Sequence, residues 1–173
     1  MFPVIAASIA ALAALIGYWA TYRTRRIDSK AETYAKALAA VTAYKHLPYR
    51  IRRRAKDDNE TRDKLGQLSS DVHQEITYYR HLLNLDSELV ANTYEELIRK
   101  VYRKGKEHRD NAWGHTPISS DSEMCDVGTY DFGEAKQMWD CINAMSQELG
   151  RSPIRAQYAS GDQDSFRDDE ARS

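Results

Sequence analysis

The chain has 173 residues, of which 42% are hydrophobic and 29% charged, with a formal net charge of −1. That length holds one compact domain plus an appendage. Two cysteines, Cys125 and Cys141, give no CxxC or other metal-ligand spacing, which excludes a disulfide-rich scaffold and a thiolate zinc site.

The near-zero net charge hides a division. Residues 1–56 carry 11 Lys/Arg against 2 Asp/Glu, whereas residues 57–173 carry 14 against 24. The first third is therefore strongly cationic and the remainder anionic.

Residues 2–20, FPVIAASIAALAALIGYWA, contain no charge. About 20 residues at ~1.5 Å rise cover a hydrocarbon layer of ~30 Å, so residues 1–22 read as a transmembrane anchor. Tyr18, Trp19 and Tyr22 followed by Arg23, Arg25 and Arg26 have the pattern of an interfacial aromatic belt with a cationic stop. A removable signal peptide is the main alternative, but there the positive charge precedes a shorter apolar core. The positive-inside rule then puts the N-terminus outside and the C-terminal body in the cytoplasm. Small residues at four-residue spacing, Ala6, Ala10 and Ala14 with Ala13 and Gly17, mark a face on which membrane helices can approach closely.

Residues 23–56 read as a basic juxtamembrane helix. Tyr34, Leu38, Val41, Tyr44 and Leu47 step by four, three, three and three, and Glu32 precedes Lys36 by one turn. Pro48 predicts a kink or a fresh helix start. Just beyond it, YRIRRRAK places Arg50, Arg52, Arg53, Arg54 and Lys56 close together. On a helical wheel these cations spread around most of the circumference, which does not suit a groove-reading nucleic-acid contact. A straight helix would also hold them ~40 Å from the headgroups, far beyond a Debye length of ~8 Å. Residues 57–150 carry 10 Lys/Arg against 19 Asp/Glu. An electrostatic contact with that acidic region is the expectation, with a merely solvated helix end beside it.

Residues 57–113 read as an antiparallel helix pair. Asn59 is the expected cap of the first helix, whose stripe is Leu65, Leu68, Val72, Ile76, Tyr79 and Leu83. Asp86 is the expected cap of the second, with Val90, Tyr94, Leu97 and Val101 as its stripe. Only a few residues near NLDS join the two, which favours antiparallel packing.

Residues 114–130 have loop composition. Residues 131–149 return to helical spacing, with Phe132, Ala135, Trp139, Ile142, Met145 and Leu149 on the expected core face. Residues 150–173 hold too few apolar groups to offset chain entropy and read as a disordered tail.

No GxGxxG, Walker A, GxSxG or HExxH motif occurs. His73 and His81, near Asp71 and Glu75, are too far apart along one helix to share an ion unaided. No catalytic residue, metal, cofactor, small-molecule substrate or nucleic acid is inferred, and an enzyme is not expected. The expected fold is all-α: one N-terminal transmembrane helix followed by a small cytoplasmic antiparallel helical bundle. The corresponding function is a single-pass membrane-anchored interaction or scaffold protein, through a protein partner or self-association. The alternative is an accessory or sensor subunit of a larger membrane complex, in transport or envelope assembly.

Overall fold

The computed structural model describes residues 2–118 and 129–151, and of the first twenty residues only the side chains of 17–19. The described residues are all-helical, with no strand among them. In chain order the helices are α1 (Phe2–Lys45), α2 (Leu47–Arg52), α3 (Asn59–Asp86), α4 (Glu88–Gly114) and α5 (Ala135–Glu148).

Helix α1 runs unbroken for 44 residues, about 66 Å at 1.5 Å per residue. Its second half supplies core side chains: Tyr34, Ala37, Ala40, Val41 and Tyr44 are all buried. The chain turns at His46, two residues before Pro48. Pro48 then lies in the first turn of α2, where its missing N–H costs nothing.

Both expected caps are displaced by one residue. Asp58, not Asn59, caps α3: its Oδ1 accepts from the Thr61 N–H at 2.8 Å, and its charge complements the positive helix end. Ser87, not Asp86, caps α4, with Oγ accepting from the Val90 N–H at 3.4 Å. Asp86 is the last residue of α3 and is taken by α1 instead. It pairs with Lys30 Nζ at 2.7 Å and accepts from the Tyr34 hydroxyl at 2.5 Å.

These contacts fix an up-and-down bundle. The end of α3 meets residues 30–34 of α1, while His73 on α3 packs edge-on to Tyr44, so the two helices are antiparallel. Arg80 bonds Glu95 across the tight α3–α4 turn. Helix α5 packs on α4 and runs opposite to α1, to which it is tied at both ends: Lys45 pairs with Glu134, and Lys30 lies 4.0 Å from Glu148. The shared core joins Val72, Ile76 and Leu83 of α3 to Val90, Tyr94, Leu97 and Val101 of α4.

Two details of the C-terminal segment differ from the sequence expectation. The helix begins at Ala135 rather than 131, and its buried face passes through Cys141, Ala144 and Met145. Phe132 is buried from the preceding loop, while Trp139 and Ile142 are only half-buried and Ala135 is exposed. Gly133, at φ +60°, makes the turn that carries Phe132 inward ahead of the helix.

Among the described residues no helix is long and apolar enough to cross a membrane, so they do not support the expected anchor over residues 1–22. Most side chains of the uncharged run 2–20 lie outside the described set, including the proposed packing residues Ala6, Ala10, Ala13 and Ala14. The inner part of the 114–130 loop, with Cys125, and nearly all of the 150–173 tail also lie outside it.

Candidate functional site

Two groups of residues singled out by their composition sit at opposite ends of the bundle. The basic run follows α1 at the end where α2, the start of α3 and the end of α4 converge. The aromatic and arginine belt lies on the exposed part of α1 that extends past the other end.

The basic run divides by residue. Arg50, Arg53 and Lys56 are exposed, whereas Arg54 is buried at 4% exposure. Its guanidinium donates to the carbonyls of Ile51 (3.1 Å), Ala112 (3.2 Å), Trp113 (3.3 Å) and His115 (2.6 Å). Three of these acceptors belong to the C-terminal end of α4, whose last carbonyls lack helical partners and carry the negative end of the helix dipole. The same guanidinium stacks on the Trp113 indole at 4.9 Å, and Arg62 covers that ring at 5.7 Å. Asp57 bridges the pair, 3.7 Å from Arg54 Nε and 2.9 Å from Arg62 Nε. The Arg62 guanidinium beside it holds the Asp57 carboxyl below the usual range. Arg52 donates to the Thr116 carbonyl at 3.2 Å.

The run is thus anchored chiefly by main-chain carbonyls, and among the described residues only Arg54 forms an ion pair with a carboxylate. The Arg54 backbone joins in, its carbonyl accepting from Ile118 N–H at 2.9 Å. Composition could not single out Arg54 from its neighbours, because the discriminating partners are backbone groups some sixty residues away.

At the other end Tyr18, Trp19 and Tyr22 are 73%, 62% and 58% exposed. Arg23, Arg25 and Arg26 are exposed on the next turn, with the Arg23 guanidinium 5.6 Å from the Trp19 ring centroid. Gly17 is exposed and has open space around its Cα. Three large aromatics pointing into solvent, beside three arginines on a helix whose continuation forms the core, are out of place on an ordinary water-facing surface.

The histidines form no ligand set. His73 is packed between Tyr44 and Tyr102, with Nδ1 2.6 Å from the Ser69 carbonyl, while His81 is exposed. Among the described residues no cluster of His, Cys, Asp and Glu is arranged to hold a metal ion. Cys141 is free and buried, and burial pushes its thiol up to about 12. Such a thiol is a core group rather than a nucleophile.

No protein-family model, curated protein or solved structure matches this chain.

Proposed function

We propose that the chain is a single-pass membrane-anchored helical interaction or scaffold protein, with the bundle as its cytoplasmic body. One observation carries this reading: α1 continues without a break from the uncharged run, through the exposed aromatic and arginine belt, into the middle of the bundle core. A retained helix of this kind fixes location, and its belt residues suit the polar layer at a bilayer surface. The positive-inside rule supports a cytoplasmic body, since Arg23, Arg25 and Arg26 follow the run immediately. Helix α1 alone covers about 33 Å from Arg23 to Lys45, and the basic run follows at that far end, several Debye lengths from the surface, which favours a protein contact over a lipid one there.

Deleting residues 1–22 tests the reading. The truncated protein should move from the membrane pellet to the soluble fraction and retain its helical circular dichroism. Full-length protein extracted by alkaline carbonate would refute the anchor, and lost helicity in the truncation would refute a self-sufficient body.

A second reading, an accessory or sensor subunit of a larger membrane complex, draws on Tyr78, Leu85 and Leu89. These residues, on the last turns of α3 and the first turn of α4, are 60%, 87% and 47% exposed. Co-purification of a stoichiometric partner in mild detergent would favour it, and a monomer or homodimer would argue against it.

A further inference from the structure

We infer that a cleft between α1 and the last turn of α5 binds the phosphate of one anionic glycerophospholipid, an inference that rests on the membrane-anchored reading above. The cleft has a volume of about 330 Å3, and its walls include Arg23, Arg26, Ile27 and Lys30 on one side and Glu148 and Leu149 on the other. Arg23 and Arg26 lie three and six residues beyond Ala20, about 5 and 9 Å along the helix. Arg23 thus falls within a headgroup layer about 5–8 Å thick, and Arg26 at its outer edge, within reach of a lipid phosphate through its long side chain.

The charges in the cleft are not equivalent. Lys30 is committed to Asp86 at 2.7 Å. Glu148 is held by the Ser87 hydroxyl at 2.8 Å and lies 4.0 Å from Lys30. Arg23 and Arg26 make no ion pair among the described residues, and Trp19 steadies the Arg23 guanidinium from below. Two guanidinium forks one helical turn apart match the oxygens of a phosphodiester. Half-buried Ile27 and Leu149 close the cleft on the side away from the bilayer. The far wall is well defined: Gly150, at φ +69°, ends α5, and the Arg151 N–H closes back on the Ser146 carbonyl at 2.9 Å. The placement of both arginines at the bilayer surface favours a lipid over a free phosphate ester.

The test is native mass spectrometry of the full chain in mild detergent, titrated with phosphatidylglycerol, phosphatidylcholine or soluble glycerophosphate. The expected result is one retained phosphatidylglycerol per chain, displaced by neither of the others at equal concentration. At about fivefold per arginine, Arg23→Gln with Arg26→Gln should weaken retention roughly 25-fold. Arg25→Gln should leave retention within about twofold, because Arg25 lies with Tyr18 and Tyr22 on another side of α1. The inference is overturned if Arg25→Gln weakens retention as much as the double variant. It is also overturned if glycerophosphate competes equally or if phosphatidylcholine is retained as well. A chain that resists carbonate extraction yet retains no lipid removes this inference alone, whereas a chain stripped by carbonate removes the anchor and the lipid site together.

Discussion

Gly105 of α4 lies directly under the phenol ring of Tyr44, so close that a Cβ at this position would fall 2.6 Å from the Tyr44 hydroxyl oxygen. Tyr44 is 2% exposed and is boxed in by His73, Tyr102 and Arg109. The ring therefore has nowhere to retreat. On an open helix surface, replacing glycine with alanine would stabilise by about 1 kcal/mol. Here the sign reverses.

Gly105→Ala should lower the urea midpoint, with a cost of about 1–3 kcal/mol from overpacking. Gly66→Ala, with open space around it, should raise the midpoint slightly. A neutral Gly105→Ala would mean that α1 and α4 are not so closely apposed.

Arg54→Ala should cost several times more stability than Arg53→Ala. The first leaves the carbonyls of Ala112, Trp113 and His115 without their charged donor, and hydrogen bonds to charged groups contribute about 1.5–3 kcal/mol each before non-additivity. Arg53 is exposed, and its substitution should stay within about 0.5 kcal/mol. Paired urea titrations compare the two directly.

Acid should loosen the end of the bundle where α1, α3 and α5 meet. Burial acts to raise the Asp86 carboxyl, but the hydrogen bonds from Lys30 and Tyr34 prevail and hold it below its ordinary range. A depressed carboxylate pKa contributes stability at neutral pH that disappears as pH falls through the folded-state value. Thermal melts of the wild type should therefore lose more between pH 6 and about pH 2 than melts of Asp86→Asn. Equal losses would show that the pair contributes nothing.

The Cys141 thiol should resist iodoacetamide at pH 8 in the folded protein and react at the ordinary rate in denaturant, in a Cys125→Ser background. Burial raises its pKa from 9.0 to about 12, although a hydrogen bond with Thr93 works the other way. Because the folded value is the higher one, its contribution to stability is complete below pH 9 and fades as pH climbs toward 12. Rapid labelling under native conditions would place the thiol outside the core.

The helices of the body were legible because single apolar stripes survive in the sequence. Val72, Ile76, Tyr79 and Leu83 are all buried, as are Val90, Tyr94, Leu97 and Val101. The caps were misplaced by one residue, because Asp58–Asn59 and Asp86–Ser87 each offer two competent side chains in succession. Only the pull of Lys30 and Tyr34 on Asp86 decides the second case. In α5 the apolar residues flank one another so closely that a rotation of about 100° changes which of Trp139, Cys141 and Ile142 faces inward. The role of Arg54 was hidden for another reason: carbonyl acceptors leave no trace in residue type. Gly105 gave no signal either, because its reason is a ring 61 positions earlier.

The unbroken course of α1 also sets an azimuth. A helix turns 100° per residue, and no joint between Gly17 and Lys45 absorbs torsion. Under the membrane-anchored reading proposed above, the side of the belt facing a neighbour would dictate which flank of the bundle faces that neighbour's own body. One residue inserted at Thr24 would swing the bundle by about 100° relative to the belt and raise it about 1.5 Å, leaving the buried core from Tyr34 onward intact. A partner that binds both the belt and the bundle would lose its grip on one of them.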